Sequence, residues 1–347
     1  MDRVLRVLVV DDSAYVRKVI KQMLSRSPFI EVVGAARDGQ EALEMVEQFQ
    51  PDVVTCDLIM PVLDGVGFVR EQMSRRPIPI VIVSIANDGS ELALTALDAG
   101  AVDFVQKPTA LATEKMFEIN DELVEKVKTA AGVQMARLQT TLAREPTVSL
   151  PTDAPRAGLV DIVVLGISTG GPQALKYLIP QLPVDFPIPL VLVMHMPVGY
   201  TEMYAQKLDE ISRLKVSEAR EGDIVKAGAV LIAPAGRHLT LNRQTNGSVV
   251  AHLDARPFDS VHRPSVDVLF QSAAKLYGSR TLGVVMTGMG SDGKQGSAWI
   301  KSQGGLIFTE AEQSCIVYGM PLSVVEAGLS DKSVPLERMA QTILEVI

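Results

Sequence analysis

Short, unbroken runs of valine, isoleucine and leucine recur along this chain, and each stops abruptly at a polar residue or a glycine. In the first 120 residues they read "VLRVLVV", "EVVGAA", "PDVVTCDL", "PIVIVS" and "DFVQK". Between them lie "AYVRKVIKQMLS", "GQEALEMVEQF", "GVGFVREQM" and "ELALTALDAG", whose apolar residues recur at helical spacing. Apolar runs without alternation suit strands buried on both faces, which means a parallel sheet covered by helices on each side. Five such units in about 120 residues predict a compact doubly wound α/β domain of flavodoxin-like type.

A second series of the same kind occupies the rest of the chain. "DIVVLGI", "PIPLVLVMH", "RTLGVVMTG" and "LIFTE" read as strands; "PQALKYLIPQL", "TEMYAQKLDEIS", "SVDVLFQSAAKLYG" and "GKQGSAWIKSQG" read as helices. Within it, "AGAVLIAPAGRHLTLNRQTNGSVVAHLD" carries short strands around Ala-Gly and Asn-Gly turns, the signature of a hairpin. The expected fold class is therefore α/β throughout: two doubly wound parallel-sheet domains, the second Rossmann-like with a β-hairpin insertion. Between them, "FEINDELVEKVKTAAGVQMARLQTTL" is helical and charged, and "REPTVSLPTDAPRAG" is rich in Pro, Thr and Ser. The boundaries read as domain 1–125, helix end and flexible linker 126–157, and domain 158–347. A length of 347 residues suits two domains of ordinary size.

The net charge of −8 argues against nucleic acid as main partner, because a phosphate backbone needs a basic face. Residues 1–120 hold 12 Lys and Arg against 18 Asp and Glu, whereas residues 158–347 hold 16 against 18, so the first half is the acidic one. The two cysteines, Cys56 and Cys315, fall in different expected domains and read as buried free thiols. The opening "MDRVLRVLVVDD" is too short and too charged for a signal peptide or a membrane span. No run of eighteen apolar residues occurs, so a cytoplasmic location without membrane insertion is expected.

Polar residues gather where the first five strands end. Asp11 and Asp12 close the first strand, Asp57 the third, Ser84 the fourth and Lys107 the fifth. In a parallel sheet these ends share one edge, so the five side chains converge. Three carboxylates there repel one another, and a hard divalent cation with oxygen ligands relieves that, Mg²⁺ being the natural choice. Such a cation, with the lysine and the hydroxyl, also suits an incoming phosphoryl group, with Asp57 as acceptor. Asp12 or Asp64 taken singly reads as a helix cap.

"VVDDS", "CDLIMPVLDG" and "VDFVQKP", in this order of elements, resemble the receiver domain of bacterial two-component response regulators over residues 1–125. The resemblance implies phosphorylation at Asp57. It implies Mg²⁺ held by Asp12, Asp57 and the Ile59 carbonyl, with Asp11 acting through water. It also implies Ser84 and Lys107 as readers of the phosphoryl group and Phe104 as an aromatic that turns inward on activation.

"VVLGISTGGP", residues 163–172, raises a choice between a phosphate cradle and a nucleophile elbow. A strand, a glycine-rich turn and a helix start make an anion site. Dinucleotide spacing is absent, since Ser168 occupies the middle position, and no Gly-Lys-Ser/Thr is present. What matches is G-x-S-x-G at Gly166, Ser168 and Gly170. A glycine-flanked serine also caps a helix, so the motif alone leaves both readings open. A serine nucleophile needs a base, and only four histidines exist. His238 and His252 lie in the expected hairpin, and His262 precedes Arg263-Pro264 in a loop. His195 directly succeeds "PLVLVM", at the same sheet edge as Ser168. Asp292, in the glycine-rich turn of "TLGVVMTGMGSDGKQG", reaches that edge too. Ser168, His195 and Asp292 then form a triad, which is defined by geometry and not by chain order. Met289 and Gly290, with Thr169 and the helix start beside it, are the expected oxyanion and active-site lining.

In the second half, "GISTGGP", "MHMP", "RPSVDVLF", "VVMTGMGSDG" and "YGMP" lie in order within residues 160–325, and with the receiver-like first half the whole chain resembles the CheB family of chemotaxis protein-glutamate methylesterases. The resemblance implies hydrolysis of glutamyl γ-methyl esters on methyl-accepting chemotaxis receptors, releasing methanol, with deamidation of receptor glutamines in many members. It implies the same triad, no cofactor for the esterase, a histidine kinase as phosphodonor, and a receiver that covers the active site until phosphorylated. One stretch departs from the family pattern. After Ser84 the chain reads Ile85-Ala86-Asn87-Asp88 before Gly89, where Thr-Leu-Thr before a glycine is common. Three other outputs stay open on the residues alone: a triad hydrolase for another acyl ester, a non-enzymatic nucleotide-binding or scaffold domain, and a DNA-binding regulator. The last has no basic recognition helix to support it.

Overall fold

The computed structural model describes residues 3–85, 90–107, 119–143, 158–257 and 259–347. Residues 86–89 of the departing loop, the start of the charged helical stretch at Phe117, and linker residues 144–157 lie outside the described residues. The chain forms two compact units, Met1–Leu142 and Ala143–Ile347.

The first unit alternates β1 (Leu5–Val10), α1 (Ala14–Leu24), β2 (Ile30–Ala36), α2 (Gly39–Phe49), β3 (Val53–Cys56), α3 (Gly65–Arg75), β4 (Ile80–Ile85), α4 (Ser90–Asp98) and β5 (Asp103–Lys107). All pairings are parallel in the order β2-β1-β3-β4-β5. The runs of β1, β3, β4 and β5 are largely buried as expected for strands covered on both faces, whereas the edge strand β2 is half-buried between Ile30 and Ala36. Helix α1 buries Val16, Val19, Ile20 and Met23, a spacing of three and four that presents one face to the sheet. Asp64 caps α3, its carboxylate accepting the Gly67 N–H at 2.7 Å. The glycine after it is required by close approach: a β-carbon on Gly65 would lie 2.1 Å from the Asp57 carbonyl oxygen.

The charged stretch expected as one helix is two, α5 (Asn120–Ala131) and α6 (Met135–Leu142), separated at Gly132. Both belong to the first compact unit. Helix α5 packs on α1 and on β3, β4 and β5, burying Leu123, Val124 and Val127.

The second unit runs β6 (Ile162–Ile167), α7 (Gly171–Leu178), β7 (Leu190–Met194), α8 (Thr201–Ile211), β8 (Lys215–Glu218), β9 (Ala229–Ile232), β10 (His238–Arg243) and β11 (Val249–Asp254). It continues through α9 (Val266–Tyr277), β12 (Thr281–Val285), α10 (Lys294–Ser302), β13 (Leu306–Glu310), α11 (Met320–Glu326), β14 (Lys332–Val334) and α12 (Leu336–Leu344). Seven parallel strands take the order β14-β13-β12-β6-β7-β9-β8. β10 and β11 form the expected antiparallel hairpin, seated on α9. From β6 the chain first builds outward through β7, then returns to lay β12 on the other flank. That reversal makes a switch point between β6 and β12, where a crevice opens at the carboxyl ends of the strands. Among the described residues no helix is long and apolar enough to cross a membrane.

Candidate active site and acidic pocket

Ser168 stands immediately past β6, at the switch point of the second sheet. Its N–H donates to the Thr287 carbonyl at 2.9 Å, and its own carbonyl accepts the Gly171 N–H at 2.7 Å. These bonds turn the chain sharply from strand into α7 with the serine at the tip. The facing turn comes very near: a β-carbon on Gly288 would lie 2.7 Å from the Ser168 Cβ. Thr287 stitches the two turns together, its hydroxyl donating to the Thr169 carbonyl at 2.9 Å and accepting the Val317 N–H at 3.0 Å.

His195 comes directly after β7, and its N–H donates to the Ile167 carbonyl at 3.2 Å, directly before Ser168. Its Nε2 lies 2.8 Å from Asp292 Oδ2. This contact assigns the ring proton to Nε2 and leaves Nδ1 as the basic nitrogen. Nδ1 is buried without a hydrogen-bond partner, so the Ser168–His195 hydrogen bond is not formed in this structure. The structure thus brings His195 and Asp292 into contact and sets Ser168 beside them on the neighbouring strand end. Catalytic contacts commonly tighten only when substrate is present.

Asp292 is held from several sides. Besides His195, its carboxylate accepts the Ser265 hydroxyl at 2.9 Å, the Val266 N–H at 2.8 Å and the Asp267 N–H at 2.9 Å. Burial alone would push its pKa up, but the His195 hydrogen bond and charge, with the N–H groups of Asp267 and Val266, hold it down to about 2. Asp292 is thus a fixed anion facing the imidazole. Thr169 is buried at the start of α7, while Met289 is half-buried and Gly290 exposed on the turn after β12. Thr169 thus lies on the turn after β6, and Met289 and Gly290 lie on the turn after the adjacent strand β12.

The sequence alone does not assign two further residues to the site, and His262 reads there only as a loop histidine. His262 stacks on His195 with ring centroids 4.0 Å apart and planes 20° off parallel. Glu310, fully buried at the end of β13, accepts the Thr287 N–H and the Ser314 hydroxyl, each at 2.9 Å. Burial pushes its carboxyl up to about 7 from an ordinary 4.5, against the pull of those two donors. The folded protein therefore keeps a proton that the unfolded chain releases. Its contribution to stability is full below about pH 4.5 and is lost as pH rises toward 7, a change of roughly 3 kcal/mol. Glu310→Gln is expected to flatten that part of the urea-midpoint profile of the full chain between pH 5 and 8. Parallel profiles for variant and wild type would refute it.

In the first unit, the expected acidic pocket assembles at the carboxyl edge of the sheet. Asp11, Asp12 and Asp57 each offer a carboxylate oxygen, all within 4.8 Å of one another. Lys107 Nζ lies 2.6 Å from Asp11 and 2.7 Å from Asp57. Burial would draw the lysine pKa down, but the charges of Asp57 and Asp11 outweigh it and raise it, so the ammonium stays charged. For Asp11, burial pushes the pKa up, and the opposing Lys107 charge only partly offsets it. Asp12 is exposed, and Ile59, two residues past Asp57, is exposed on the loop. Ser84 is buried at the edge with its Oγ unpartnered. Phe104 is buried, with Lys126 Nζ 5.6 Å from its ring centroid and donating to its carbonyl at 2.6 Å. Arg17, unnoticed in the sequence, donates to the carbonyls of Asp11 and Asp12 at 2.7 and 2.9 Å and so fixes that loop. Three clustered carboxylates with one cation leave a negative excess and hard oxygen donors, a set that fits Mg²⁺. The unpartnered Ser84 hydroxyl fits an oxygen-rich ligand beside it.

A serine elbow with a His–Asp pair at a sheet switch point, in one chain with a lysine-closed acidic pocket on a five-stranded parallel sheet, defines a response regulator with a hydrolase output unit. Residues 7–118 match the response regulator receiver domain, and residues 163–343 match CheB methylesterase. The chain belongs to the CheB methylesterase family, with a receiver domain ahead of the enzyme domain. It is 52% identical over 339 residues to protein-glutamate methylesterase/protein-glutamine glutaminase 5 of Myxococcus xanthus, covering 96% of each chain. The enzyme of that type from Thermotoga maritima is 41% identical over 347 residues, covering 100% of this chain and 99% of the relative. Among solved structures, the Thermotoga maritima CheB methylesterase catalytic domain superimposes with a TM-score of 0.53 at 44% identity, covering 54% of this chain and 99% of that one.

Proposed function

We propose that this chain is a cytoplasmic protein-glutamate methylesterase. It hydrolyses glutamyl γ-methyl esters on methyl-accepting chemotaxis receptors to glutamate and methanol, and it deamidates receptor glutamines. The observation that carries the reading is the Nε2–Asp292 contact of His195, which leaves a buried, unpartnered Nδ1 one backbone hydrogen bond away from the Ser168 turn.

In this mechanism His195 Nδ1 accepts the Ser168 hydroxyl proton as the serine oxygen attacks the ester carbonyl. Asp292 stabilises the imidazolium through Nε2. Backbone N–H groups at the start of α7 and on the Met289–Gly290 turn flank the place where the oxyanion develops. The tetrahedral intermediate collapses, the proton passes from Nδ1 to the departing methoxide, and methanol leaves. Water then gives its proton to Nδ1 and cleaves the acyl-enzyme, regenerating Ser168. A glutamine takes the same path with ammonia as the leaving group. No cofactor enters these steps.

In the receiver, Asp57 accepts a phosphoryl group from a histidine kinase, and this activates the esterase. Asp12, Asp57 and the Ile59 carbonyl would hold Mg²⁺, with Asp11 completing the acidic cluster. When bound, the cation neutralises charge on the transferring phosphoryl group. Lys107 and Ser84 contact the phosphoryl oxygens, and Phe104 belongs to the response. The test is methanol release from methylated receptor membranes by the purified chain. Release should require Ser168, so Ser168→Ala should be inactive. Release from a small methyl ester but from no methylated receptor would redirect the reading to another acyl ester.

A further inference from the structure

Two carboxylates in the second unit each grip the helix that the other belongs to. Asp292, just before α10, accepts the N–H groups of Val266 and Asp267 at the start of α9. Asp267, in the first turn of α9, accepts on one oxygen the Gly293 N–H at 2.9 Å and the Gly296 N–H at 2.6 Å, at the start of α10. An ordinary cap serves its own helix; here both carboxylates serve the neighbour. The helices are pressed together, since a β-carbon on Gly296 would lie 2.5 Å from Phe270 Cβ and 3.0 Å from Asp267 Cα. Gly293 is bonded directly to Asp292, so the Asp267 hydrogen bond fixes the peptide plane from which the Asp292 side chain springs. Burial, then the nearby Asp292 charge, pushes Asp267 up to about 6, although the Gly296 N–H pulls the other way.

We infer that Asp267 is a positioning residue: it locks the Gly293 backbone and thereby aims the Asp292 carboxylate at His195 Nε2. The inference rests on the proposed triad. Asp267 takes no part in proton transfer, and its effect reaches the reaction only through Asp292. Misplacement of a catalytic group by about 1 Å costs up to about 100-fold in rate.

The test uses the full chain, methylated receptor membranes and methanol release. Asp267→Ala is expected to lower kcat about 10- to 100-fold with KM unchanged. The downfield proton resonance of the His195 Nε2–H···Asp292 hydrogen bond should move or vanish in the same variant. Asp267→Asn keeps an oxygen where both N–H groups point and should recover most of kcat and the resonance. If the alanine variant does not fold, Asp267→Ser, whose oxygen stops short of both donors, carries the same expectation. Wild-type kcat and an unmoved resonance in the alanine or serine variant would overturn the inference, as would an asparagine variant as impaired as alanine. Ser168→Ala, assayed alongside, separates the two levels. If it is inactive, the serine-nucleophile reading stands whatever Asp267 does; if it is active, that reading falls and the inference with it.

Discussion

Asp292→Asn should lower kcat for ester hydrolysis by about 10⁴-fold while KM changes little. The reason lies in the number of donors that converge on this side chain. One carboxylate oxygen takes the His195 Nε2–H and the Val266 N–H; the other takes the Ser265 hydroxyl and the Asp267 N–H. All of these are donors as assigned; the Ser265 hydroxyl can turn and the His195 ring can change tautomer to accept, but the two backbone N–H groups cannot. Asparagine has one oxygen, so its amide N–H₂ must face a backbone N–H whichever way it is oriented. If it faces His195, the ring adopts the tautomer with its proton on Nδ1, and the base that Ser168 needs is lost. If it faces Ser265 and Asp267, a buried donor–donor pair costs about 1–3 kcal/mol and pushes the side chain off its line to the imidazole. Either orientation removes the anion that stabilises the imidazolium. Steady-state kinetics on methylated receptor, with circular dichroism to verify folding, decide the matter. An asparagine variant within tenfold of wild type would show that Asp292 is not the triad acid.

The positions of Ser168, His195, Asp292, Asp57 and Lys107 were legible in the sequence for one physical reason. Continuous apolar runs demand parallel strands, and parallel strands deliver their last residues to a common edge. A polar residue at the end of such a run is therefore placed before any coordinates exist. Features set by side-chain rotation and helix approach were not legible. The choice of Nε2 for Asp292, the stacking of His262 on His195, and the crossed Asp267–Asp292 grips depend on how α9 approaches α10. Nor did the pattern show β8 and β14. Lys215–Glu218 and Lys332–Val334 are edge strands of four and three residues, and their half-polar sequences lack the apolar run that marked the interior strands. Glu310 escaped notice because a glutamate at the end of "LIFTE" looks like a solvated strand terminus, whereas it is wholly buried. The break between α5 and α6 falls at "GVQ", where one glycine was too weak a signal against the charged helical pattern on both sides.

Asp57→Asn should abolish phosphoryl incorporation from a small acyl phosphate and remove the stimulation of methanol release by that donor. The substitution keeps the shape of the side chain but removes the nucleophilic oxygen and its charge. Lys107 then retains Asp11 as its only carboxylate partner among those it now contacts, at 2.6 Å against the 2.7 Å it shared with Asp57. The oxygen cluster loses one of its three carboxylates, which weakens its grip on a divalent cation as well. Loss of labelling therefore has two sources, and they are separable. A chelator should suppress labelling of the wild-type chain, and excess Mg²⁺ should restore it there but not in the variant. The esterase residues sit on a different sheet and are unchanged by the substitution, so unstimulated methanol release by the variant shows that its catalytic residues are intact. Equal stimulation of wild type and Asp57→Asn by the acyl phosphate would mean that the phosphoryl signal enters elsewhere, and the acidic pocket would then have to be read as a structural cluster.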